Sequence, residues 1–144
     1  MFKNNKGFTL IELLVVIAII GILSSVVLAS LNTARNRGND AKIKAQLSGL
    51  RAAAELYYDQ YGTYGTATNA CDQMFDNTDV AKYVDDTEAM ANVTVTCIST
   101  GGAYAVSANL VGTTDVAKDN WCVDSAGKAA AQAGAQGAGD AICD

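Results

Sequence analysis

The chain has no histidine and no proline among its 144 residues. Without imidazole, Ser-His-Asp and Cys-His catalysis in their usual forms are excluded, and the commonest zinc ligand goes with them. Without proline, no helix need be broken by a missing amide donor. Cysteine is sparse: Cys71, Cys97, Cys122 and Cys143 lie 26, 25 and 21 residues apart. No C-x-x-C occurs, so neither a zinc knuckle nor a thioredoxin-type redox pair is indicated. An even number of widely spaced cysteines reads instead as two structural disulfides made in an oxidising compartment. Four cysteines allow three pairings, and the sequence alone does not choose. Positive charge is also short, with 10 Lys and Arg against 15 Asp and Glu and a net charge of −5. That balance argues against a surface that attracts nucleic acid or an anionic membrane non-specifically.

What is present is unevenly placed. Met1–Gly7 is a short polar leader carrying Lys3 and Lys6. From Phe8 to Leu31 Glu12 alone is charged, and the uncharged run Leu13–Leu31 has 19 residues. As a helix that run spans roughly 28 Å at about 1.5 Å per residue, close to the roughly 30 Å hydrocarbon core of a bilayer. The leader lysines favour a cytoplasmic amino terminus, although Arg35 and Arg37 on the far side reduce the asymmetry. After Leu31 the pattern changes. Ile43, Leu47, Leu50, Ala54, Tyr57, Tyr58 and Tyr61 recur at steps of three or four, while Lys42, Lys44, Arg51, Glu55 and Asp59 mostly fall off that stripe. The expectation is one continuous helix from about Phe8 to Tyr61, on the order of 80 Å long. Its first half is apolar all round and its second half on one side only.

The segment Tyr61–Gly65, YGTYG, reads as the helix stop. Cys71 to about Ala91 reads as a loop with one or two short helices that include Val80, Tyr83 and Val84. Three strand-like runs follow: Val93, Val95 and Cys97; Tyr104 and Val106; Trp121 and Val123 around Cys122. Gly101-Gly102 between the first two is a hairpin signal. The Ala/Gly-rich stretch from Ser125 to Ala141 is read as a loop with no strand of its own. Trp121 and Tyr104 are assigned to the core and not to a binding platform. The fold class is α+β: a long amino-terminal α-helix, transmembrane over 8–31 and amphipathic over 32–61, packed on a small antiparallel β-sheet head over 62–144. Three to four strands are expected in that head.

Glu12 is the residue that needs a reason. A carboxylate at the centre of a membrane helix costs about 2.5–3.5 kcal/mol on insertion scales, and less near the helix start. A partner would remove the cost. Cleavage before Phe8 would create an α-amino group one helical turn away, within the same subunit or on a neighbour. A buried charge is tolerated when paired and penalised when orphaned, so such a pair would favour one register between subunits.

The stretch Lys6–Leu23, KGFTLIELLVVIAIIGIL, resembles the type IV pilin and pseudopilin superfamily in both order and position. The resemblance is strong over about the first 30 residues, fades through the helix and is only general in the head. It implies that a membrane-embedded prepilin peptidase cuts between Gly7 and Phe8 and methylates the new amine of Phe8. It places the family's assembly glutamate on Glu12. It further implies a single-pass subunit in the inner membrane with its head outside the cytoplasm. An assembly platform and its ATPase would then extract it from lipid into an extracellular homopolymer. It implies a structural protein, not an enzyme, with no cofactor. In pilin heads a terminal cystine loop is common, which implies Cys122–Cys143, with Cys71–Cys97 as the other pair. A loop of about 20 residues closed in this way is worth roughly 3 kcal/mol. Relatives often carry a helix-perturbing proline at the position of Ala29, and this chain does not.

Other readings compete with this one. Within the superfamily, a type II secretion pseudopilin competes with a pilus subunit, and YYDQYGTY has a pseudopilin look. Some pseudopilins bind calcium, for which Asp115, Asp119, Asp124 and Asp140 are weak candidate ligands; scattered acids in an acidic head are usually just solvated. A secretory signal cut after Val27-Leu28-Ala29 would release a protein starting at Ser30, but Glu12 interrupts its apolar region. A membrane-anchored enzyme lacks any nucleophile motif or phosphate loop. For a DNA-uptake subunit, removing Lys3 and Lys6 takes the net charge from −5 to −7, which does not help.

Overall fold

A computed structural model of the chain describes residues 7–143; the leader lysines Lys3 and Lys6 lie outside the described residues. Two compact units make up the chain, residues 1–35 and 36–144. Helix α1, Leu10–Tyr61, contributes to both.

In the first unit α1 is apolar on every side and no side chain is buried. Leu10 is 78% exposed and Leu31 60% exposed. The helix runs through Gly21, Ser24 and Ala29 without a break. Polar side chains turn back on the helix itself: Ser25 Oγ donates to the Ile22 carbonyl at 2.8 Å and Thr33 Oγ1 to the Ala29 carbonyl at 3.3 Å. The segment is long and apolar enough to cross a membrane.

In the second unit the apolar stripe of α1 is covered. Ile43, Leu47, Leu50 and Ala54 have no exposed surface. They pack with Met74 and Phe75 of a short 3-10 turn (Gln73–Asp76) and with Val80 and Val84 of α2, Thr78–Glu88. Four antiparallel strands follow in the order β1-β2-β3-β4: Val95–Ser99, Tyr104–Asn109, Asn120–Asp124 and Ala129–Gln132. Tyr104, Val106, Ala108 and Val123 join the helix core. Ala105 on the alternate side of β2 packs with Cys122 and Cys143, so the central strand is covered on both faces.

Helix α1 ends where Gly62 takes φ +71° and its amide donates to the Tyr58 carbonyl at 2.7 Å, a left-handed stop that glycine adopts without steric cost. The Gly101-Gly102 signal is the β1–β2 turn, closed by the Thr100 amide donating to the Ala103 carbonyl at 2.9 Å. Two expectations are corrected. The first strand starts at Val95, not Val93, because Asn92 sits at φ +63° and the Val93 amide donates back to Met90. The Ala/Gly-rich tail does hold a strand. Ala129–Gln132 pairs with Asn120–Val123, so sheet context overrides the low strand propensity of alanine. A tight turn makes this possible: Asp124 Oδ1 accepts from the Lys128 amide at 2.8 Å.

Candidate functional site

The start of α1 is a reciprocal cap. Thr9 precedes the first helical residue, Leu10, and Glu12 lies in the first turn. The Glu12 amide donates to Thr9 Oγ1 at 3.3 Å, while Thr9 N–H and Thr9 Oγ1 donate to Glu12 Oε2 at 2.9 and 2.6 Å. This is the T-x-x-E capping box, which satisfies amide donors that a helix start otherwise leaves unpaired. Thr9 escaped the sequence reading, although its spacing to Glu12 is the signal for the motif. Both Thr9 donors go to Oε2. Oε1 has no hydrogen bond among the described residues, so one carboxylate oxygen can meet a further donor. Gly7 and Phe8 precede the helix in non-helical chain, and Phe8 is 79% exposed. A peptidase can reach an exposed peptide bond outside the helix without first unwinding it.

In the second unit Cys71 is bonded to Cys97 and Cys122 to Cys143, which leaves no free cysteine. The second bridge closes a segment that is otherwise held by polar pegs. Asp124, fully buried, accepts from the Cys143 amide through Oδ2 at 3.0 Å. Lys128 Nζ donates to the Cys143 carbonyl at 2.9 Å. Gln136, also buried, donates from its amide to Ser107 Oγ at 2.9 Å and from Nε2 to the carbonyls of Asp140 and Ile142. Gly/Ala chain without large side chains has no core of its own, and these contacts supply its order.

The acidic residues singled out from the sequence are dispersed. Asp115 Oδ1 accepts from the Ala117 amide at 3.0 Å. Asp119 Oδ1 accepts from Asn120 Nδ2 at 3.0 Å and the Gly134 amide at 2.8 Å, and these bonds hold its carboxyl below the usual range. Asp140 Oδ1 accepts from the Ile142 amide at 3.3 Å. Asp124 is the buried peg already described. Among the described residues, no three potential metal-ligating side chains converge.

The two aromatic residues assigned to the core differ. Tyr104 is fully buried edge-on to Tyr64, with ring centroids 4.8 Å apart. Burial first, then the nearby Glu55 charge, pushes its hydroxyl well above the usual phenol range. Trp121 is half-buried beneath Lys44 Nζ, 4.6 Å from the ring centroid. Tyr64 donates to both oxygens of Glu55 at 3.0 Å. Burial, then that bond and the Glu55 charge, pushes its ionisation up to about 12.

Residues 2–28 match the prokaryotic N-terminal methylation motif. The chain is 47% identical over 62 residues to the type IV wide pilus major component PilA4 of Thermus thermophilus, a match covering 43% of this chain and 47% of that protein. It is 37% identical over 101 residues to the type IV major pilin protein PilE1 of Neisseria gonorrhoeae, covering 67% of this chain and 60% of the relative. It is 33% identical over 64 residues to the type II secretion system core protein G of Klebsiella michiganensis, covering 44% and 45%. The chain thus spans about half the length of these relatives. No solved structure matches it. The methylation motif and the named pilins and secretion protein agree: over its amino-terminal part the chain is similar to type IV pilins and to a type II secretion pseudopilin.

Proposed function

We propose that this chain is a structural subunit of a type IV pilus-like filament, cut before Phe8, methylated there and polymerised through α1. One observation carries the reading. From Leu10 to Leu31 every large apolar side chain of α1 is exposed in the single chain, Leu23 and Ile17 each at 60%. Exposed apolar surface on that scale needs lipid or other copies of itself around it. Lipid serves while the subunit is held in the inner membrane with its head outside the cytoplasm; neighbouring helices serve in the extracellular filament. The partners are therefore membrane lipid, a prepilin peptidase, an assembly platform with its ATPase, and further copies of the same chain. The work is polymerisation and not catalysis, with no cofactor and no nucleic acid needed; calcium bound by the acidic loops remains a secondary proposal that calcium-dependent melting of the chain would support.

The capping box bears on assembly. Thr9 and Glu12 both lie after the cut, so the cap survives it, and the new amine of Phe8 is adjacent. Oε1 of Glu12 is then available to the amine of a neighbouring copy. Glu12→Ala or Glu12→Leu is expected to insert in the membrane normally and to abolish or scramble filaments. Normal filaments from either variant refute this role. Electron microscopy of sheared filaments, with mass spectrometry of their subunits, tests the whole reading: methyl-Phe8 is expected, and subunits starting at Met1 or Ser30 overturn it.

A second reading is a pseudopilin of a type II secretion system, favoured by the likeness to core protein G and by the tyrosine-rich end of α1. The two readings part in vivo. Loss of the chain removes surface filaments in the first case, and blocks protein export while leaving surface filaments in the second.

A further inference from the structure

Asn92, Val93 and Thr94 spell Asn-x-Ser/Thr, a pattern that occurs once in the chain. They lie between α2 and β1, where the chain turns. Asn92 sits at φ +63°, Asn92 and Thr94 are exposed, and half-buried Val93 packs on the helix core. The side chain of Asn109, the last residue of β2, grips this tripeptide at two points. Its Nδ2 donates to the Asn92 carbonyl at 2.8 Å, and its Oδ1 accepts from the Thr94 amide at 2.6 Å. The Val93 amide donates to the Met90 carbonyl at 3.3 Å, and the Asn109 amide to the Thr94 carbonyl at 3.4 Å.

The backbone of the tripeptide is therefore held, while its two polar side chains are left over. Neither the Asn92 carboxamide nor the Thr94 hydroxyl makes a hydrogen bond among the described residues. Asparagine adopts the left-handed conformation readily, so the turn alone accounts for Asn92. It does not call for a hydroxyl at position 94. A short reach of chain joins the site to the apolar run: Asp40, nine residues after Leu31, accepts from the Val111 and Gly112 amides at 2.8 and 3.0 Å, just beyond Asn109.

We propose that Asn92 is an acceptor for an N-linked oligosaccharide and that Thr94 is the residue by which a membrane-bound transferase selects it. Asn-x-Ser/Thr on a surface loop outside the cytoplasm is the acceptor pattern for that modification. The donor is an oligosaccharide carried on a lipid diphosphate. Asn92 Nδ2 attacks the anomeric carbon, and the bond from that carbon to the diphosphate oxygen breaks. The lipid diphosphate leaves with the electron pair, and the Nδ2 proton passes to a carboxylate of the transferase. No oxidant or reductant is needed. A bulky polar chain fits here because nothing covers Asn92 or Thr94. The inference rests on the filament reading only in placing the head outside the cytoplasm.

Mass spectrometry of the full chain from its own cells tests it, in sheared filaments and in the membrane fraction. A peptide carrying sugar mass on Asn92 is expected. Asn92→Gln and Thr94→Ala are each expected to lose that mass, and Thr94→Ser to keep it. Thr94→Ala leaves the backbone bonds of the loop in place, so a normal yield of sugar-free chain separates recognition from folding. Chains that start at Phe8 with Asn92 bare in both fractions overturn the site and leave the subunit reading standing. Sugar on Asn92 of a chain that starts at Ser30 supports the site and overturns the subunit reading. Sugar that persists on Asn92 in Thr94→Ala, or that maps to serine or threonine instead, overturns the assignment.

Discussion

Between Leu10 and Leu31, helix α1 buries no side chain; between Ile43 and Ala54 it buries five, Ile43, Leu47, Leu50, Ala53 and Ala54. The same backbone geometry thus answers to two different solvents. The first stretch satisfies its own amides and takes its apolar environment from outside the chain. The second is anchored by a sheet, a short helix and two cystines of its own. Secondary structure is common to both; what stabilises it is not.

The largest way to break this contrast is chemical reduction. Each cystine, closing separations of 26 and 21 residues, is worth roughly 3 kcal/mol in the chain-entropy model. Losing both removes about as much as the whole stability of a small domain. In detergent micelles, reduction is expected to abolish the near-ultraviolet dichroism of residues 36–143 and to leave the helical signal of the apolar stretch. Loss of both signals together would show that the two stretches are coupled. One substitution made in both places comes next. Leu47→Ala, at a position with no exposed surface, is expected to cost about 2–5 kcal/mol in thermal or denaturant melting. Leu23→Ala, 60% exposed, is expected to stay within about 0.5 kcal/mol in the same measurement. Equal costs would sink the contrast.

Smaller effects sharpen it. Gly112→Ala would place a methyl 2.7 Å from Asp40 Oδ2 and 3.1 Å from the Arg37 amide. The loop or the helix must then shift, at about 1–3 kcal/mol by melting. Alkaline titration is the mildest probe. In the unfolded chain tyrosine ionises near 10, whereas Tyr64 in the folded chain does so only at about 12. The protonated form is the one the fold favours, so this stability is complete below pH 10 and drains away as pH rises through about 12. The near-ultraviolet signal is expected to fade across that interval and Tyr64→Phe to blunt the loss. The apolar stretch has no tyrosine and should be indifferent.

Much of this architecture was legible because its causes are local. The apolar run, the step-of-three-and-four stripe from Ile43 and the glycines at Gly62 and Gly101 each act over a few residues. They placed the long helix, its stop and the first hairpin. The Thr9–Glu12 cap is equally local, and its T-x-x-E spacing carries the signal that the charge of Glu12 alone does not. The rest was not legible in principle. Asp40 finds its amides 71 and 72 residues away, and Gln136 holds Ser107 from 29 residues away. An Ala-rich segment becomes a strand only because Asn120–Val123 offers it an edge. Such contacts belong to the folded chain, and composition carries no trace of them.

The double covering of β2 has a further consequence. Its inward residues are spent on α1, and Ala105 and Ser107 are spent on the segment that Gln136 and Cys143 hold down. A second molecule is left with turns, strand rims and the outer sides of helices. Residues in those places are few-contact positions that can change at little thermodynamic expense. A lineage carrying this chain can therefore redraw the outline it shows to the world while its interior stays the same.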